Sequence, residues 1–114
     1  MKILIFALLI SLVGACRSAK VQGSDPLPLC LRKQIEKLSG EPGNSPISVT
    51  QYEYKGDTVY YMKAACCDNF NIVYDKDCRV LGYPDGGFTG RGDGSLPGFF
   101  SVAKKGPVVW ENKQ

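Results

Sequence analysis

The reading of the fold turns on Ile47-Ser-Val-Thr-Gln-Tyr-Glu-Tyr-Lys-Gly-Asp-Thr-Val-Tyr-Tyr-Met62. Ile47 and Val49, then Tyr52 and Tyr54, recur with a period of two, which places side chains on alternate faces of an extended chain. Lys55-Gly56-Asp57 is a short turn. Thr58-Val59-Tyr60-Tyr61-Met62 then returns, rich in the β-branched and aromatic residues that suit a pleated surface. The stretch predicts an antiparallel hairpin.

On its N-terminal side the period changes. Leu27, Leu31, Ile35 and Leu38 form one apolar stripe at four- and three-residue steps. Asp25 is placed to cap a helix, and the prolines at 26 and 28 suit its first turn. Ser39-Gly40 ends the helix, and residues 41–46 read as a loop. Downstream, Phe70–Tyr74 and Arg79–Tyr83 read as a second strand pair around Asp75-Lys76-Asp77-Cys78. Phe99–Val102 and Val108–Trp110 read as two more strands flanking Lys104-Lys105-Gly106-Pro107. One amphipathic helix followed by four to six short strands is an α+β fold.

The chain has 114 residues, 44% hydrophobic and 22% charged, which excludes disordered, collagen-like and coiled-coil chains and leaves room for one domain. Lys2 precedes an eleven-residue apolar run, Ile3–Val13. That run is short of the roughly 20 residues of a membrane span. With the small residues after it, the segment reads as a secretory signal: residues 1–19 are the expected signal peptide and 20–114 a single secreted domain. That domain would hold twelve basic and eleven acidic residues, which offers no electrostatic basis for binding nucleic acid. Val13-Gly14-Ala15-Cys16 also matches a bacterial lipobox, although Arg17 is a less usual flank. Lipidation at Cys16 is the alternative, and only then is the protein expected at a membrane, anchored to the cell envelope.

Of the five cysteines, Cys16 leaves the count by removal or by lipidation. Cys30, Cys66, Cys67 and Cys78 remain, an even number that predicts two disulfides in an oxidising compartment. A Cys66–Cys67 bond closes a strained small ring and is set aside. Both remaining arrangements join Cys30 to one member of the doublet and Cys78 to the other, tethering the helix to the sheet. With no histidine and no C-x-x-C, a zinc site is not expected.

Seven of the thirteen glycines lie between Gly82 and Gly98. Such density signals positive φ angles or close backbone approach. The loop carries neither phosphate-binding glycine pattern. Asp85 and Asp93 could offer carboxylates to a hard cation, but aspartates in turns commonly bond their own backbone, and no metal or other cofactor is expected. Arg91-Gly92-Asp93 is a candidate adhesion motif for integrins, if it projects from the loop.

The chain resembles a domain of unknown function found in small exported proteins and lipoproteins. The likeness runs from Cys30 to Trp110. It rests on Cys30-Leu31, Tyr52-Glu-Tyr-Lys-Gly56, Val59-Tyr60-Tyr61 and Cys66-Cys67-Asp68, then on Tyr74-Asp75, Pro84-Asp85-Gly86-Gly87, Thr89-Gly90, Gly92-Asp93-Gly94, Phe99 and Trp110. The resemblance implies one cysteine before the Pro-Asp-Gly-Gly and another after the Gly-Asp-Gly, paired with each other. Here those places hold Gly82 and Leu96, so the loop is expected to lack a staple and to be more mobile. It also implies that Gly92-Asp93 serves the turn, with Arg91 completing the adhesion motif by coincidence. No activity comes with the resemblance.

Without histidine the usual Ser-His and Cys-His bases are missing, and cysteines held in disulfides supply no thiolate. Asp75 and Asp77 sit in a turn. No enzyme is expected. Tyr52, Tyr54, Tyr60 and Tyr61 form either a binding face or cross-strand packing. The expectation is a secreted, non-catalytic, disulfide-stapled module with a structural or extracellular-matrix binding role and an unknown matrix partner.

Overall fold

The computed structural model describes residues 26–66 and 68–113. Helix α1 spans Leu29–Ser39, and strands β1 (Ser48–Tyr54), β2 (Asp57–Lys63), β3 (Ile72–Tyr74) and β4 (Val80–Gly82) follow. A short helix α2 (Phe99–Val102) then leads into β5 (Lys104–Glu111). The sheet is antiparallel throughout, in the order β4-β3-β2-β1-β5. The first four strands form a meander, and the long connection carrying the glycines and α2 returns the chain to the far edge beside β1.

The hairpin forms, with a turn one residue shorter than the expected Lys55-Gly56-Asp57, since Asp57 already belongs to β2. Tyr54 pairs with Asp57 across a two-residue turn, in which Lys55 and Gly56 have φ of 51° and 82°. Two consecutive positive φ angles match the right-handed twist of the flanking strands. The pleat then sorts the side chains. Val49, Tyr60, Met62 and Tyr74 face α1 and form one core with Leu27, Leu31 and Ile35. Tyr52, Val59 and Val73 face the other way and form a second core with Phe99. Each face of the sheet meets a helix, α1 on one side and Phe99 of the four-residue α2 on the other.

The tyrosines therefore pack rather than lie open. Tyr52 and Tyr60 are buried, and Tyr52 meets Phe99, Tyr61 and Phe100 at ring separations of 5.3, 6.0 and 6.2 Å. Aromatic pairs in tilted and edge-on arrangements add to the burial of their area.

Three expectations need correction or restriction. Phe99–Val102, expected as a strand, is helical, with Val102 N–H and Ala103 N–H donating to Gly98 O and Phe99 O. Burial of Phe99 against Tyr52 and Tyr54 overrides the strand preference of Phe and Val. Lys104-Lys105-Gly106-Pro107, expected as a connection, is the first half of β5. Proline is tolerated there because β5 is an edge strand. The helix begins at Leu29 with Pro28 at its cap position and no side-chain cap; Asp25, with the signal segment and Cys16, lies outside the described residues.

The tether between helix and sheet exists, with different partners from those expected. Cys30 on α1 is bonded to Cys78, 48 residues away, with the two Cα atoms 6.1 Å apart. Neither arrangement through the doublet is therefore realised for Cys30. The reason is spatial: Cys78, in the β3–β4 turn, packs against the core cluster that holds Leu27 and Leu31, beside the first turn of α1. Cys66 is also disulfide-bonded, and Cys67 lies outside the described residues.

Candidate functional site

The long loop between β4 and α2 holds Gly86, Gly87, Gly90, Gly92, Gly94 and Gly98, all at positive φ. Its shape is fixed from inside by polar groups. Tyr61, half-buried on β2, donates its hydroxyl to Asp85, 2.9 Å from each carboxylate oxygen. Asn71 donates its side-chain amide to Asp85 Oδ1 at 3.0 Å and its backbone N–H to Asp85 O at 3.2 Å. The same Asn71 side chain accepts from Ala64 N–H at 2.8 Å. One carboxylate thus joins the loop to β2 and to the segment entering β3.

Burial, reinforced by the hydrogen bond to Asp85 and by its negative charge, pushes the Tyr61 hydroxyl well above the ordinary tyrosine range. Ionising Tyr61 would set two negative charges against each other and break the bond, so the phenol holds its proton.

The second brace lies nearer α2. Asp93 accepts hydrogen bonds from Ser95 N–H and Ser95 Oγ, which hold its carboxyl below the usual carboxylate range. Ser95 Oγ accepts in turn from Tyr83 N–H at 2.9 Å, and Asp93 N–H donates to Tyr83 O at 3.3 Å. Between these braces Gly92 N–H donates to Gly86 O at 3.1 Å. A Cβ on Gly92, whose φ is 71°, would collide with Tyr83 O. Glycine is required there by both conformation and space.

The candidate residues consequently divide. In Arg91-Gly92-Asp93, Arg91 is exposed, Gly92 is wedged against Tyr83 and Asp93 is turned onto Ser95. Asp85 and Asp93 spend their carboxylates on protein donors, and the described residues contain no group of three His, Cys, Asp or Glu placed to hold a metal ion. Asp75 accepts from Asp77 N–H and Arg79 N–H, each at 2.9 Å, and so builds its own turn. What the loop presents outward is Phe88, with 92% of its surface exposed, beside Thr89, Gly90 and Arg91. The Tyr61–Asp85 bond had no local signal, because its partners lie 24 residues apart.

A sequence-family comparison decides the relationship. The domain of unknown function DUF6970 matches residues 35–112, most of the described chain. The chain belongs to the DUF6970 family. The match agrees with the resemblance to an uncharacterised domain, beginning just after Cys30 and running through the hairpin, the glycine loop and β5. Comparison with curated proteins and with solved structures gave no match. No helix among the described residues of this DUF6970 domain is long and apolar enough to cross a membrane.

Proposed function

We propose that the protein is an exported, non-catalytic module, structural or matrix-binding in role, that works by presenting the tip of its glycine loop. The carrying observation is the use of the acidic side chains. Asp85 and Asp93 are engaged in holding the loop's shape, while Phe88 and Arg91 stand exposed at its outer end. A fixed loop ending in an aromatic ring and a guanidinium suits recognition of a partner surface, since little order is lost on binding. The Cys30–Cys78 disulfide belongs to an oxidising compartment, and the apolar N-terminal run supports export, with an envelope anchor through Cys16 as the alternative.

Retention of the disulfide-intact protein on immobilised extracellular matrix tests this reading. The expected result is retention that is lost in a Phe88→Ser/Arg91→Ala variant whose melting curve is unchanged. No retention, or retention indifferent to the loop tip, contradicts it.

Exposure of Arg91 leaves cell adhesion as a second reading. Arg91→Ala should change stability by no more than about 0.5 kcal/mol, as surface substitutions do, whereas Gly92→Ala should cost about 2 kcal/mol or more through strain and collision. Asp93→Ala should loosen the loop by releasing Ser95. Attachment of integrin-bearing cells to the wild type, abolished by Arg91→Ala alone, would establish the adhesion reading in place of the matrix one.

A further inference from the structure

Away from the loop tip, a groove of about 310 Å³ opens between the end of α1 and the segment joining β2 to β3. Its apolar lining comes from Leu38, Met62, Ile72 and Phe70, with Ala64 and Ala65 leaving room along one side. We propose that this groove is a binding site for an uncharged, largely apolar small molecule.

The chemistry of the lining selects the ligand. None of the described lining residues is an Asp, Glu, Lys or Arg. An anionic ligand would leave its hydration there with no cation in the lining to replace it, and the Glu41 carboxylate, which accepts from Asn44 Nδ2 at 2.8 Å, disfavours it further. The Tyr83 hydroxyl and the Asn44 side chain suit one or two hydrogen bonds to a neutral oxygen or nitrogen. The volume falls at the lower end of small-molecule sites, enough for a compact ring system or a short chain.

The lip of the groove is prepared in advance. Polar groups on either side of it are bonded within the protein: Ala64 N–H donates to Asn71 Oδ1, Asn69 Nδ2 donates to Ala65 O and Cys66 O, and Asn69 O accepts from Gly87 N–H. Phe70, 41% exposed, packs between Gly87 and the ring of Tyr83, whose centroid is 5.5 Å from its own. An aromatic wall is thus held half in solvent on a segment that has little freedom to collapse over it. Pre-organisation of this kind lowers the ordering cost of binding.

The test uses the disulfide-intact protein and N-phenyl-1-naphthylamine, a neutral probe whose fluorescence rises in apolar surroundings. The expected result is saturable one-site binding, with amide chemical-shift changes centred on Leu38, Ala65, Phe70 and Tyr83. Ala65→Trp, which fills the groove from its exposed lip, should weaken binding at least tenfold, and Phe70→Ser should do so by removing the wall. Each variant is compared at unchanged far-ultraviolet dichroism and unchanged amide shifts along β5. The anionic analogue 1-anilinonaphthalene-8-sulfonate should bind more weakly than the neutral probe. Absence of saturable binding, shift changes elsewhere, or equal binding by both variants would overturn the proposal. The loop-tip variant Phe88→Ser/Arg91→Ala should bind the probe normally, which separates this site from the proposed matrix surface.

Discussion

A Cβ built on Gly82 would stand 2.7 Å from Leu96 Cγ. The two arms of the glycine loop therefore touch at the two positions where the family resemblance implies a disulfide. In this chain a leucine side chain occupies the space that a second side chain would need, and Leu96 packs against the core formed by Tyr52, Val59, Val73 and Phe99. Gly82→Cys combined with Leu96→Cys should form a bond spontaneously in air, with no thiol left to alkylate. For a loop of this length, loop-closure entropy gives about 3 kcal/mol of added stability, read as a higher urea midpoint that reductant removes. Gly82→Ala alone should destabilise by about 1–3 kcal/mol, because Ser95 Oγ, 2.5 Å from the added methyl group, and Leu96 must both move to admit it.

The bond between Cys30 and Cys78 closes a loop of 48 residues. Chain-entropy reasoning gives it about 4 kcal/mol, a large share of the stability of a small domain. Cys30→Ser/Cys78→Ser should accordingly lower the unfolding free energy by about that amount in urea titration. Peptide mapping without reduction should recover the helix peptide joined to the β3–β4 turn peptide. Recovery of Cys30 joined to the Cys66-Cys67 segment would refute the placement of the tether.

How far each feature was legible follows from where its determinants lie. The hairpin was readable because its register is set by two adjacent residues, Lys55 and Gly56, and by an alternation that continues through Tyr52 and Tyr60. The stripe of Leu31, Ile35 and Leu38 announced α1 for the same local reason. Phe99-Phe100-Ser101-Val102 was misread because its strand propensity is weaker than the burial of Phe99 between Tyr52 and Tyr54. The Cys30 partner was misjudged because the doublet attracts attention in sequence, while proximity to α1 is decided by the β3–β4 turn. At the site, the glycines marked the loop, and the turn role of Asp93 was readable from the habit of aspartates in turns to bond their own backbone. The brace was not readable: nothing near Asp85 points to Tyr61, which only the β2–β3 pairing brings within reach.

Four tyrosines make stability fall in alkali. Burial raises the hydroxyls of Tyr52, Tyr60, Tyr61 and Tyr74 above the ordinary value, and Asp85 adds to the rise at Tyr52 and Tyr61. In the unfolded chain these groups ionise near pH 10, whereas in the folded protein they keep their protons to higher pH. The unfolded state therefore gains by losing protons first. The stabilisation is fully present below about pH 10 and is lost as pH rises beyond it. Urea titrations should give a level unfolding free energy between about pH 7 and 9 and a decline above about pH 10. Tyr61→Phe should make that decline shallower.

The central claim is that one carboxylate, Asp85, fixes the glycine loop onto the sheet through Tyr61 and Asn71, so that the loop tip is presented in a set shape. Amide hydrogen exchange followed residue by residue tests this most directly, comparing the wild type with Tyr61→Phe. In the wild type the N–H groups of Asn71, Gly87 and Gly92, which donate to Asp85 O, Asn69 O and Gly86 O, should be protected. In Tyr61→Phe their protection should fall at least tenfold, about 1.4 kcal/mol for a lost bond to a charged group, while the amides of β1 paired with β5 stay as slow as before. Wild-type loop amides exchanging at unprotected rates, or loop protection indifferent to the loss of the Tyr61 hydroxyl, would contradict the account.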